Sequence, residues 1–267
     1  MRGLGLERPP RWGIALLIAL VAGNIALFGF LALRPDPEDP YAGRAAPAAD
    51  QSPVTDAAAL PSTEAPSSAP AAETTVSPVL AVYGDGYASG NTLGGQGAAG
   101  WPALVAQQTG AELRLNAVSQ AGYASLSTTG QTYLDLVQAS PVPDADVTVV
   151  FGSRNDDGES VSEVAANAAE VFSAIQASAP DTTLVVIGPV WSDAAPTAGV
   201  LAANDAVEQA AAAAGVTFVD ALEAGWFATG EGIAPDGISP TDAGNTYLAD
   251  LVAPVVTDAL VSAAARN

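Results

Sequence analysis

The stretch Val79-Leu80-Ala81-Val82-Tyr83-Gly84-Asp85-Gly86-Tyr87 decides the fold. Five largely apolar residues run without a charge and stop at a glycine, an acid and a second glycine. A run this short, closed by turn residues, reads as a strand buried on both faces. Four more runs behave alike: Leu113-Arg114-Leu115, Val147-Thr148-Val149-Val150-Phe151, Leu184-Val185-Val186-Ile187 and Val216-Thr217-Phe218-Val219. Helical patterns lie between and after them, at residues 101–108, 161–177, 201–214 and 241–263. The alternation predicts an α/β domain over residues 78–267, with a parallel sheet of about five strands and helices on both faces. Ligands of such sheets sit beyond the carboxyl ends of the strands, so the loops after these runs are where function is sought.

Working outward, the segment before the first run changes character twice. Residues 34–77 are rich in Pro, Ala, Ser, Thr and acids and show no sustained periodicity, which predicts a disordered, partly extended stalk. Upstream, residues 13–33 read GIALLIALVAGNIALFGFLAL, with no charge and Asn24 as the one strongly polar member. At ~1.5 Å per residue a helix of that length crosses a bilayer core of roughly 30 Å. Arg2, Arg8 and Arg11 precede it, and Asp36, Glu38 and Asp39 follow. The positive-inside rule then puts residues 1–12 in the cytoplasm and the rest outside, as a single-pass protein of the cell membrane. A cleaved signal peptide is the rival reading. Its apolar region usually spans ~7–15 residues before a small-x-small site, whereas this run is longer and ends in Leu31-Ala32-Leu33-Arg34-Pro35.

Charge and missing residue types narrow the chemistry. The 267 residues carry 29 acids against 8 basic residues, all arginine, for a formal net charge of −21. Such a surface repels phosphates, which argues against nucleic acid as a partner. The chain has no cysteine, so disulfides, thiolate metal sites and thiol nucleophiles are excluded. It has no histidine either, which removes the usual general base and the commonest metal ligand.

The strand ends carry distinctive segments: Gly84-Asp85-Gly86-Tyr87, Gly152-Ser153-Arg154-Asn155-Asp156, Gly188-Pro189-Val190-Trp191, and Asp236-Gly237-Ile238-Ser239 before a C-terminal helix. Their order and spacing resemble the SGNH (GDSL-like) hydrolases of bacterial cell surfaces, over the whole domain from Pro78 onward. The resemblance implies a three-layer, flavodoxin-like α/β/α fold. It also implies a serine nucleophile after the first strand, an Asp-x-x-His pair near the C-terminus, and an oxyanion hole that includes a glycine of a second block and the asparagine of Gly-x-x-Asn-Asp. Here Gly86 stands at the serine's place, and Asp236 and Ser239 stand at the places of the aspartate and the histidine. Asn155 matches the asparagine, and Gly122 is the choice for the glycine. Asp85, Arg154, Asp156 and Trp191 are the remaining pocket candidates.

A serine hydroxyl needs a base to take its proton, and this chain lacks both partners at the matching positions. The expectation is therefore a membrane-anchored, catalytically inactive relative that binds a cell-envelope ligand, such as an acylated glycan, or an envelope protein. The alternative is an active acyl hydrolase with a displaced nucleophile, Ser89 or Ser239, and a carboxylate base, Asp85 or Asp236. A third reading is a scaffold whose pocket has collapsed. No cofactor and no metal are implied. Asp85, Asp156 and Asp236 suit a hard cation by type, but their spacing does not require one. Gly95-Gln96-Gly97-Ala98-Ala99-Gly100 has the spacing of a dinucleotide loop. It lacks the context, because no strand ends immediately before it and Gln120 and Ala121 occupy the place of the ribose-binding acid.

Overall fold

The computed structural model describes residues 77–152, 154–192 and 195–266. The expectations placed on residues 1–76 (cytoplasmic N-terminus, membrane helix and stalk) lie outside the described residues. Five strands form one sheet: β1 (Val79–Gly84), β2 (Glu112–Ala117), β3 (Val147–Phe151), β4 (Thr183–Ile187) and β5 (Thr217–Val219). Every pairing is parallel and the order is β2-β1-β3-β4-β5. The helices are α1 (Gly86–Ser89), α2 (Trp101–Thr109), α3 (Tyr133–Ala139), α4 (Val161–Ser178), α5 (Ala198–Ala214) and α6 (Asp242–Ala264).

The strands are apolar on both faces because both faces are covered. Leu80, Val82, Val149, Phe151, Val185 and Ile187 point to one side and pack with Trp101 and Val105 of α2 and with Leu248, Val252 and Val256 of α6. Ala81, Tyr83, Val150 and Val186 point to the other and meet Tyr133, Val164, Phe172 and Val207 of α3, α4 and α5. The period of two along each strand thus sorts alternate residues into two cores. Removing one such side chain from water contributes about 1.5–3 kcal/mol. The sheet's edges are more polar: β2 exposes Glu112 and Leu115 and carries Arg114 and Asn116, and β5 exposes Thr217.

The expected strands and the four expected helices appear within a few residues of their sequence positions. Two helices were not expected. α3 is only seven residues long and starts at a capping box, with Asp135 N–H donating to Thr132 Oγ1 and Thr132 N–H donating to Asp135 Oδ2. α1 is a single turn, capped when Asp85 Oδ1 accepts the Tyr87 N–H at 3.0 Å. α6 is long and apolar enough to cross a membrane by length and composition. Its apolar residues Leu248, Val252 and Val256 are fully buried against the sheet, as those of a core helix are.

This topology determines where a ligand sits. From β1 the chain crosses one way to β2, and β3 lies on β1's other side. The loops leaving β1 and β3 therefore part in opposite directions, opening a crevice at their carboxyl ends.

Candidate functional site

A cavity of about 220 Å³ fills that crevice. Asp85, Gly86 and Tyr87 after β1 line it, with Ser119 and Gln120 after β2, Arg154 and Asn155 after β3, Asn91, and Ile238, Ser239 and Pro240 before α6. Of the residues singled out from sequence, Asp85, Gly86, Arg154, Asn155 and Ser239 thus share one cavity. Asp236 stands directly behind Ser239, which donates its hydroxyl to Asp236 Oδ2 at 2.6 Å.

Gly86 begins α1, directly after Asp85. A Cβ built on it would lie 3.4 Å from Ser119 Oγ, an ordinary contact, so a side chain has room there. Ser239 is buried between two partners. Asn91 Nδ2 donates to its hydroxyl at 2.9 Å, and the hydroxyl hydrogen goes to Asp236. Asp236 Oδ1 accepts the N–H groups of Ile238 and Ser239, both at 2.9 Å. The Ser239 hydroxyl first, and those two N–H groups next, hold the Asp236 carboxyl below its ordinary value. A carboxylate stabilised in this way is a poor proton acceptor at neutral pH.

Asn155 is committed within the protein. One Nδ2 hydrogen reaches Asp85 Oδ2 at 2.8 Å and the other the Ala121 carbonyl at 2.9 Å. The amide has two hydrogens and both are taken. Asp85 is itself buried, and burial pushes its carboxyl up to about 7 against the opposing hydrogen bonds from Tyr87 N–H and Asn155. Tyr87 is pushed up to about 12, by burial first and by the Asp85 charge next, with Arg154 pulling the other way. Its hydroxyl donates to the Ile238 carbonyl at 2.6 Å, fastening the loop before α6 to α1.

The other candidates lie behind the cavity wall. Asp156 accepts the N–H groups of Tyr123, Ala124 and Ser125, each at 2.9 Å, and so shapes the loop after β2. Gly122 belongs to that loop's packing and does not line the cavity: a Cβ there would lie 2.5 Å from Asp156 Oδ1. Ser119 and Gln120 are the residues of that loop that face the cavity, and Gln120 has a positive φ of 68°. Trp191 lies under Arg154, whose guanidinium carbon sits 3.9 Å from the ring centroid. Ser89 does not line the cavity.

Sequence reasoning missed Ser119, Gln120, Asn91, Ile238 and Pro240. Ser119 and Gln120 lie just upstream of Gly122, and which of these residues faces the cavity is set by where the β2 loop turns at Gln120, which no residue type announces. Asn91 carries no motif and meets Ser239 across 148 positions. Among the described residues no group of three or more His, Cys, Asp or Glu is placed to hold a metal. The Gly95 segment is a close approach to α6: its φ is +75°, and a Cβ there would fall 2.5–2.8 Å from the Asn245 side chain.

The sheet order, the crevice at its switch point and the four strand-end blocks together define a GDSL-like hydrolase domain. The chain belongs to the GDSL-like Lipase/Acylhydrolase family, which it matches over residues 82–247. A GDSL lipase of Mycobacterium tuberculosis is 36% identical over 191 residues, covering 68% of this chain and 83% of that protein. The fold is similar to a carbohydrate esterase family 2 enzyme of Corynascus thermopiles, with 19% identity, a TM-score of 0.58, and 75% and 69% of the two chains covered. It is also similar to a lipase/acylhydrolase from Enterococcus faecalis, with 14% identity, a TM-score of 0.56, and 68% and 96% covered. At those identities the two structures speak to the fold alone.

Proposed function

We propose that this chain is a GDSL-like domain without ester turnover, which holds a cell-envelope ligand in the β1/β3 crevice and is tethered to the membrane by residues 13–33. The observation that carries the reading is the state of the reacting positions. Gly86 offers no attacking atom, and Ser239, at the place of the base, gives its hydrogen to an aspartate held in its charged form. No histidine exists anywhere in the chain to activate another hydroxyl. The cavity meanwhile remains open and lined with polar groups, which favours ligand binding over a purely structural role.

A second reading has one observation in its favour. Ser239 lines the cavity with its hydroxyl oxygen 2.6 Å from a carboxylate oxygen to which it donates, the arrangement of a displaced nucleophile with a carboxylate base. The lowered proton affinity of Asp236 weighs against it. Incubation of the chain with p-nitrophenyl acetate, p-nitrophenyl butyrate and an acetylated sugar separates the two. The expected outcome is release no faster than in buffer. Saturable turnover that disappears in Ser239→Ala overturns the proposal in favour of the displaced nucleophile.

A further inference from the structure

We propose that the crevice is a carboxylate-binding site in which Arg154 is the counter-ion. The proposal rests on reading the crevice as a binding site and adds the chemical class of what it binds.

Three arginines lie among the described residues, and they differ in what they meet. Arg114 pairs with Glu112. Arg266 donates to the Asp181 carbonyl at 3.0 Å and to Thr183 Oγ1 at 2.7 Å. Arg154 forms no ion pair among the described residues. In a chain with 29 acids and 8 arginines, an arginine without a carboxylate stands out. Trp191 supports one face of its guanidinium at 3.9 Å and the neutral Tyr87 hydroxyl takes one hydrogen bond from it, leaving the other edge N–H groups for an acceptor in the cavity that Arg154 lines. A planar fork held by a ring matches two carboxylate oxygens and is already ordered before the ligand arrives. Gly86 and Gln120 line the same cavity, and among the described residues no acceptor takes the N–H of either.

The same wall limits the ligand's charge and size. Asp85 lies in it and Asp236 behind it, so a dianion such as phosphate meets about twice the repulsion that a monoanion meets at the same place. A volume of about 220 Å³ equals roughly seven waters at ~30 Å³ each, enough for a short acyl acid or one sugar-acid ring. Both present the same head group, and the experiment distinguishes the two sources.

The test measures binding to the full chain by tryptophan fluorescence and calorimetry. The probes are butyrate and glucuronate, their neutral counterparts butyramide and glucose, and inorganic phosphate. The expected result is saturable binding of at least one acid, at least tenfold tighter than its neutral counterpart and tighter than phosphate. Preference for butyrate marks an acyl acid, and preference for glucuronate an acidic glycan. Arg154→Gln should lose at least tenfold in affinity with an unchanged melting midpoint, and Arg154→Lys should fall between. The proposal is overturned if neither acid saturates below about 10 mM, if amide and sugar bind as tightly as the acids, or if a folded Arg154→Gln binds like the parent. The comparison of acid with amide needs no variant, so it decides the matter even if the substitutions unfold the chain. Ester turnover by the parent chain would remove the proposed function and leave this site standing if the acids still compete through Arg154. Absence of both turnover and acid binding removes this site alone.

Discussion

Asp85 sits at the end of a buried strand with 3% of its surface exposed, and burial raises its carboxyl from an ordinary 3.8 to about 7. Between those two values the folded chain keeps a proton that the unfolded chain has released. Linkage then requires stability to fall as pH rises from about 4 to about 7 and to level off above that. Asp236 acts with the opposite sign: its depressed carboxyl adds stability that is lost as pH falls below about 4, outside this window. We expect urea midpoints of the parent chain to fall from pH ~5 to pH ~7, and those of Asp85→Asn to fall less. Equal slopes for the two chains would show that Asp85 does not carry this titration. Gly86 and Ser239 were legible in the sequence because the order of the blocks places them. Ser119 and Asn91 were not, because each reaches the cavity through a loop whose path depends on distant contacts.

Asn245 of α6 ties that helix to the start of α2, and Asp242 Oδ1 of the same helix accepts the Gly95 N–H at 2.9 Å. Asn245 is 1% exposed, accepts the Trp101 N–H at 3.0 Å and donates to the Thr241 carbonyl at 3.0 Å. It also fills the space that Gly95 leaves by lacking a Cβ. Asn245→Ala strands a buried backbone donor, which costs about 1–3 kcal/mol. Thr246→Ala, at the next and exposed position of the same helix, should stay within about 0.5 kcal/mol. Chemical denaturation of both checks this, and equal stabilities would mean that water replaces Asn245 at no loss. The helix was readable from its apolar period and its Thr241 cap. That Asn245 anchors the start of α2 was not readable, since 144 residues separate the partners.

At the scale of the molecule, the proposed N-in, single-pass anchor rests on the apolar run at residues 13–33, with arginines before it and acids after it. If the proposal holds, protease added to intact cells, or to spheroplasts where an outer layer blocks access, should release a folded fragment that retains residues 78–267, because a packed sheet resists cleavage. Full protection of the domain, with a cytoplasmic and an exported control behaving normally, contradicts the orientation.

The sequence by itself determined the parallel α/β architecture, because apolar runs that alternate with helical patterns fit a parallel sheet with helices covering both faces. It also determined the chemical vacancies: a chain without histidine or cysteine, with glycine at position 86, lacks those groups in any conformation. Only the tertiary structure decided which residues face the crevice. It placed Arg154 over Trp191 with no carboxylate partner among the described residues, turned Ser119 and Gln120 inward and Gly122 back toward Asp156, and set Ser239 between Asn91 and Asp236. Periodicity records which face of an element is buried. The side chains that meet across a crevice are chosen by where loops from separate strands converge, and that depends on contacts across the whole sheet.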